Sequence, residues 1–540
     1  MSPRKQNAGE APLGVFRRHL GPILIALFAA AATITTLLPE INGPGLTCDE
    51  PYHVVQGQRL VTALGEQGIA FFAPANIREN FPWDNVDAPV QAPLGQWILG
   101  MAQCIIAARF APAIAFGLLA LLVGSWTLRR EGRLAGTVAA AGVVLVPRMF
   151  AHAHFAALDM LTALFFVAAV FAVSEAGNRG GRWWHFALAG VVWGLAMLVR
   201  LHGVLAAAPV IVWLVWRWRR QAIVPLVAWL TAGTATLFAG WPWLWLAPVT
   251  NLRQYVASGA DRDPVNVFYF GQVWADCKTP WHYPWVMFFL ALPLGLLALG
   301  LLGVWAKRRC WRDEPDLTLA AGTLLFVLLV FSVPGTPVYD GVRLFLMAFP
   351  LWAVWVGIGA KWMVEHPALA AVPHRLRVLL LALFLLLQGT GTVIYHPCQL
   401  SHYNLLVGGL WGAERLGFEV SYWGDAVNEP LLEQAVARSE GKPVLFGPNL
   451  APLWQAASIE ALSPALSRSE VSLEGWRAGE SDSGDYRCAV IYHRRADPAA
   501  GDWILANGRV MEEHTYAIQG VWLARLVELR VSPRRPDAEH

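Results

Sequence analysis

Residues 21–53 read GPILIALFAAAATITTLLPEINGPGLTCDEPYH. The run from Gly21 to Leu38 carries no charged side chain, and about 20 apolar residues suffice to cross the hydrocarbon of a bilayer. Two adjacent carboxylates, Asp49 and Glu50, follow shortly after it. Arg4, Lys5, Arg17 and Arg18 precede the run, and its small residues give it some signal-peptide character. Because many further apolar segments follow, it reads as an uncleaved first span.

Composition supports that reading across the chain. Hydrophobic residues make up 56% and charged residues 15% of the 540, against about 45–50% and about 25% in soluble proteins. The expected fold is a polytopic α-helical membrane protein with about eleven transmembrane helices. The candidate spans lie near 21–39, 111–127, 134–147, 155–173, 186–200, 203–216, 222–246, 285–305, 317–333, 344–360 and 378–395. A net charge of +3, with Lys and Arg in short scattered clusters, gives no basic stripe and excludes a nucleic-acid partner. The six cysteines share no metal-ligand or CxxC spacing, although one extracytoplasmic pair stays open. No Asn-x-Ser/Thr sequon is present, which is compatible with a bacterial plasma (inner) membrane.

Orientation follows from the basic loops. With the N-terminal tail 1–20 in the cytoplasm, residues 129–133, Arg179 with Arg182, residues 217–220, 307–312 and 361–377 all fall on that side, as the positive-inside bias requires. The first loop, 40–110, and everything after 395 are then extracytoplasmic. Residues 21–395 form the membrane domain. The remainder, 396–540, has soluble composition and reads as a small α/β domain: FEVSYW (418–423), KPVLFGP (442–448), CAVIYH (488–493) and GVWLARLVELR (520–530) as strands, with Asn428 and Pro430 starting a helix.

The outer face gathers the unusual side chains. Asp49 and Glu50 stand in the first loop with His53 close behind. The string PRMFAHAHFAALD (147–159) adds Arg148, His152, His154 and Asp159. An acid at the middle of a bilayer costs roughly 2.5–3.5 kcal/mol on insertion scales, so Asp159 should face protein or a polar cavity. His-x-His followed by an acid also suits a divalent metal, which is left open. YDGVRLFLMAFP (339–350) contributes Tyr339, Asp340 and Arg343, and WADCKTPWHY (274–283) brings Lys278 and His282 to the lip of the next span. Arg148, Arg200 and Arg343 all stand at outer span ends, against the topological bias. Snorkelling to headgroups would explain them, and so would a cluster gripping an anionic phosphate by paired, charge-assisted hydrogen bonds. Trp83, Asp84 and Asp87 in the first loop, and Tyr403, Asn404, Trp423 and Asp425 after the last span, are further candidates for substrate contact or for turn and packing roles.

Carboxylates and cations on one membrane face suit transfer of a group from a lipid phosphate to a hydroxyl. A carboxylate takes the acceptor's proton and cations hold the leaving phosphate. A lipid or solute transporter is the alternative. It calls for ionisable groups near the midplane and repeated halves, and no internal repeat is visible.

Through CDEPYH (48–53), PRMFAHAHFAALD and YDGVRLFLMAFP, the chain resembles the GT-C superfamily of polytopic glycosyltransferases over residues 20–425. It is most similar to the branch holding protein O-mannosyltransferases and lipid A aminoarabinose transferases (glycosyltransferase family 39-like). The resemblance implies a polyprenyl-phosphate-linked sugar as donor, an acceptor protein, lipid or glycan, and inversion at the anomeric carbon. It further implies that Asp49 is the base with Glu50 as its neighbour, that Asp159 is the second outer acid, and that Arg343 contacts the donor phosphate, helped by Arg148 or Lys278.

Overall fold

The computed structural model describes residues 12–38, 43–82, 91–258, 264–451, 454–476 and 485–529. Helix α1 (Pro12–Thr36) leads through residues 43–48 to α2 (Asp49–Gln67), which lies against the short α3 (Pro93–Gly100). The two cross with Gly57 against Gly100: a Cβ on Gly57 would sit 2.0 Å from the Gln96 carbonyl oxygen. Only the bare backbones allow this approach, which fixes the start of α2 beside the bundle.

The bundle continues with α4 (Phe110–Glu131), α5 (Arg133–Val144), the short α6 (Pro147–His152), α7 (Leu158–Asn178), α8 (Trp183–Val199), α9 (Ala207–Trp218) and α10 (Ile223–Gly240). A hairpin of β1 (Asn266–Tyr269) and β2 (Gln272–Ala275) precedes α11 (Tyr283–Ala291), α12 (Leu294–Lys307), α13 (Pro315–Val330), α14 (Ala348–Glu365) and α15 (His374–Gln388). The main packing pairs are α8 with α10, α12 with α14, α4 with α5, α5 with α14 and α1 with α4.

Among the described residues, five helical stretches are long and apolar enough to cross a membrane, or six when α11 and α12 are counted as one broken span. Three shorter apolar helices accompany them. The expected count of eleven is therefore not what length and composition give. The segment expected to be one span at 285–305 is bent by 112°. Pro293 has no N–H to donate and holds Leu292 extended, so the helix stops there. Asn404 answers the freed carbonyls, its Nδ2 donating to Phe289 O (2.7 Å) and Leu292 O (2.8 Å).

At the end of the bundle formed by the C-termini of α4, α7 and α12, charges pair off. Arg130 binds Glu175 (2.9 Å) and Asp316 (3.0 Å), and Lys307 binds Glu131 (2.7 Å) and Glu314 (3.1 Å).

After the bundle come α16 (Glu429–Arg438), capped by Asn428, then β3 (Val444–Gly447), α17 (Gln455–Leu462), β4 (Leu473–Gly475), β5 (Cys488–Tyr492), β6 (Gly508–Ile518) and β7 (Val521–Leu529). The sheet order is β4-β3-β5-β7-β6, parallel across β4, β3 and β5 and antiparallel beyond. Three of the four expected strands are present. FEVSYW is not one: it makes a single bridge, Phe418 to Tyr269. The Glu419 carboxylate instead accepts the N–H groups of Val420, Arg495 and Ala496, bridging bundle and sheet.

Candidate active site

The site is built where helices begin. Asp49 opens α2 and Asp159 lies in the first turn of α7, both at positive dipole ends that favour an anion. Asp340 and Arg343 come from the turn before α14. Asp340 has φ +54° and Gly341 φ +67°, two successive left-handed residues that fold the loop back, and the Tyr283 hydroxyl accepts from Gly341 N (3.0 Å).

Arg343 joins these pieces. Its Nη2 donates to Asp49, its Nε lies 3.3 Å from Asp159, and its Nη1 lies 3.5 Å from Asp340. Asp159 also binds Arg200 at 2.6 Å, and His152 Nδ1 lies 3.6 Å from it. The Trp423 ring centroid is 5.0 Å from the Arg343 guanidinium carbon and that of Tyr339 5.9 Å. A small cleft lined by Asp159, Thr162, Arg200, His202, Arg343 and Met347 among others opens beside the pair of arginines. The Asp49 side chain is 28% exposed, against 1% for Asp159. Asp49 is therefore the acid of this cluster that a substrate can reach.

The other expected residues divide. His53 is buried behind the cluster, its Nδ1 without a partner among the described residues, and burial with the nearby Arg200 charge pushes its pKa down to about 3. It is a neutral imidazole. Burial raises Asp340 above the ordinary carboxylate range, opposed by Arg494.

Glu50, expected beside Asp49 in catalysis, is turned away. It is fully buried and accepts from Arg109 Nε (2.7 Å) and Nη2 (2.8 Å), Thr47 N and Oγ1 (both 2.9 Å) and Ala156 N (2.8 Å). Successive helical residues point about 100° apart, so adjacent acids serve different sites.

Arg148, expected on the phosphate, is instead held by the segment after the bundle. Its Nε donates to His402 O (3.1 Å) and its guanidinium lies over the rings of Tyr403 (4.7 Å) and Tyr422 (5.4 Å). Lys278 is exposed at the bundle lip, and its loop touches the Asp340 turn through Val338 N to Asp276 O (3.3 Å). His282 pairs with Tyr269 (2.8 Å) in the aromatic lip.

The two histidines expected as a metal pair part company. His152 packs on Trp423 and faces Asp159, whereas His154 Nδ1 donates to Phe150 O (2.7 Å) and its Nε2 lies 2.9 Å from Thr36 Oγ1. Among the described residues no group of three or more His, Cys, Asp or Glu is disposed to hold a metal ion.

Trp83, Asp84 and Asp87 lie outside the described residues. Of the candidates after the last span, Trp423 faces the site, while Tyr403 and Asn404 pack. The Asp425 backbone carbonyl accepts from Gly45, and its carboxylate is buried.

Arg109 and Arg494 were not among the expected site residues, and Arg200 was expected only as one of three cations at outer span ends. Arg200 carries a weak signal as a cation at an outer span end. Arg109 and Arg494 carry none, because their partners lie far away in the chain.

Residues 89–246 match the family model described as dolichyl-phosphate-mannose-protein mannosyltransferase. That segment holds Arg148, His152, Asp159 and Arg200.

No curated protein sequence matches. Similar solved structures include ArnT from Cupriavidus metallidurans, apo and bound to undecaprenyl phosphate. Each is 14% identical with a TM-score of 0.49, over 94% of this chain and 98% of that one. The oligosaccharyltransferase of Archaeoglobus fulgidus is 15% identical with a TM-score of 0.43, over 87% of this chain and 62% of the other.

Proposed function

We propose that the protein is an inverting glycosyltransferase that moves a sugar from a polyprenyl-phosphate donor to an acceptor hydroxyl at the extracytoplasmic face of the plasma membrane. Its parts are a cytoplasmic tail (1–20), a membrane transferase domain (21–395) and an extracytoplasmic region (396–540). The distribution of Lys and Arg supports the orientation, and the description of the matching family supports the donor class.

The observation that carries the proposal is the Arg343 junction. A guanidinium that binds a partly exposed acid beside a cleft can exchange that acid for a phosphate of like charge. The exchange releases Asp49. Its carboxylate then takes the proton of the acceptor hydroxyl as the acceptor oxygen forms a bond to the anomeric carbon. The bond from that carbon to the phosphate oxygen breaks on the opposite face, and its electron pair leaves with the phosphate. Arg343 and Arg200 neutralise the charge that develops. Unlike a hydrolase with two carboxylates flanking a glycosidic bond, this reaction needs no general acid, because phosphate is already a good leaving group. Asp159 serves by holding both arginines in place.

Arg343→Ala should weaken binding of a polyprenyl-phosphate donor by about tenfold or more, the scale of a lost charge-assisted pair. Titration of detergent-solubilised protein with undecaprenyl phosphate measures it, and unchanged affinity removes the phosphate role.

A further inference from the structure

The region after the last span reaches into the site through a buried arginine. Arg494 follows β5, and its side chain is only 3% exposed. Its Nη1 donates to Tyr422 O (2.6 Å), its Nε to Asp497 (2.7 Å), and its Nη1 and Nη2 lie 3.3 and 3.4 Å from Asp340 Oδ1. The other oxygen of that carboxylate faces Arg343 at 3.5 Å. Asp340 is thus shared between one guanidinium from the sheet and one from the bundle.

Charge makes the sharing consequential. Asp49, Asp159 and Asp340 surround Arg343, and Arg343, Arg200 and Arg494 answer them. Without Arg494, which Asp340 shares with Asp497, the cluster would lose one of its three cations where an anionic phosphate must enter. Asp340 would also be drawn wholly to Arg343, competing for the donors that the phosphate needs.

We infer that Arg494 is a positioning residue for donor binding: it neutralises and restrains Asp340, leaving Arg343 able to exchange Asp49 for a phosphate. This rests on the proposed transferase reading and gives the sheet-bearing region a role in the chemistry. Removing that region would remove the third cation of the site along with the Trp423 ring.

The test is undecaprenyl phosphate binding to full-length protein in detergent, with thermal unfolding of every variant measured alongside. R494Q should bind about tenfold or more weakly, the effect of one unit charge across several ångströms of protein. R494Q/D340N, which removes both charges, should return to within about threefold of the natural protein, a coupling that independent sites do not show. R494K should keep most of the affinity. D340N alone should bind as well as the natural protein or better, which tests the charge balance even if R494Q does not fold.

Unchanged binding in R494Q overturns the inference. So does a folded double variant no better than R494Q, or weaker binding in D340N. Failure of the natural protein to bind, with R343A indistinguishable from it, brings down the transferase reading and this inference with it. Binding by the natural protein that R343A loses but R494Q keeps brings down this inference alone.

Discussion

The Glu50 carboxylate is fully buried and takes both arms of Arg109 together with the donors of Thr47 and Ala156, whereas the Asp49 carboxylate, one residue earlier, is 28% exposed and leans on Arg343 beside a cleft. Both sit in the first turn of α2 and share its dipole. What separates them is how many donors each has and whether any can leave. A carboxylate saturated with fixed donors has no lone pair to receive a proton, and it ties the first loop to the bundle. A carboxylate with one exchangeable partner can be released when a better anion arrives. One acid holds the architecture and its neighbour is available for chemistry.

The harshest way to break the comparison is on the structural side. Arg109→Ala strands Glu50 as a buried, uncompensated charge, and removing one partner of such a pair costs about 3–5 kcal/mol. Thermal unfolding in detergent should show a protein that barely folds. A variant with an unchanged midpoint would mean that Glu50 is not the clamp described.

A third acid sharpens the comparison with a smaller effect. Asp425 is buried like Glu50, but burial pushes its pKa up to about 7, only partly opposed by the backbone N–H groups of Asp425 and Ala426. The folded state therefore keeps a proton that the unfolded chain releases near the ordinary value of 3.8. Stability from this group is full below that value and is lost as pH rises through about 7. The unfolding midpoint should fall by several degrees between pH 5 and 8, as the roughly 2–3 kcal/mol carried by two pH units below a pKa of about 7 would produce. Asp425→Asn should flatten that slope, and an unaltered slope would assign it to other groups such as Glu419.

Much of the site was legible because chemistry rare in membranes stands out against apolar sequence. Asp49, Asp159, Asp340 and Arg343 were visible as charges at span ends, and the structure brings all four together. Which of two adjacent acids meets Arg343 was not legible, since that depends on where α2 begins and how Gly57 seats it against Gly100. Arg109 and Arg494 were invisible for another reason. Their partners at the site, Glu50 and Asp340, lie 59 and 154 residues away in the chain, so no local pattern links them to it. Arg148 was misplaced because an arginine at a span end looks the same whether it meets a phosphate or the rings of Tyr403 and Tyr422. The break at Pro293 was hidden by unbroken apolarity on both sides.

The division of labour at the start of α2 is tested most directly by sugar transfer from labelled polyprenyl-phosphate donors in membranes holding the natural protein, Asp49→Asn or Glu50→Gln. Asp49→Asn should fold normally, keep donor binding and lose about 10²–10⁴-fold in transfer, the contribution typical of a general base. Glu50→Gln should lose stability while each folded molecule keeps its turnover within about tenfold, since it leaves Asp49 in place. Equal activity of Asp49→Asn and the natural protein, or a loss confined to Glu50→Gln in fully folded protein, would contradict the account.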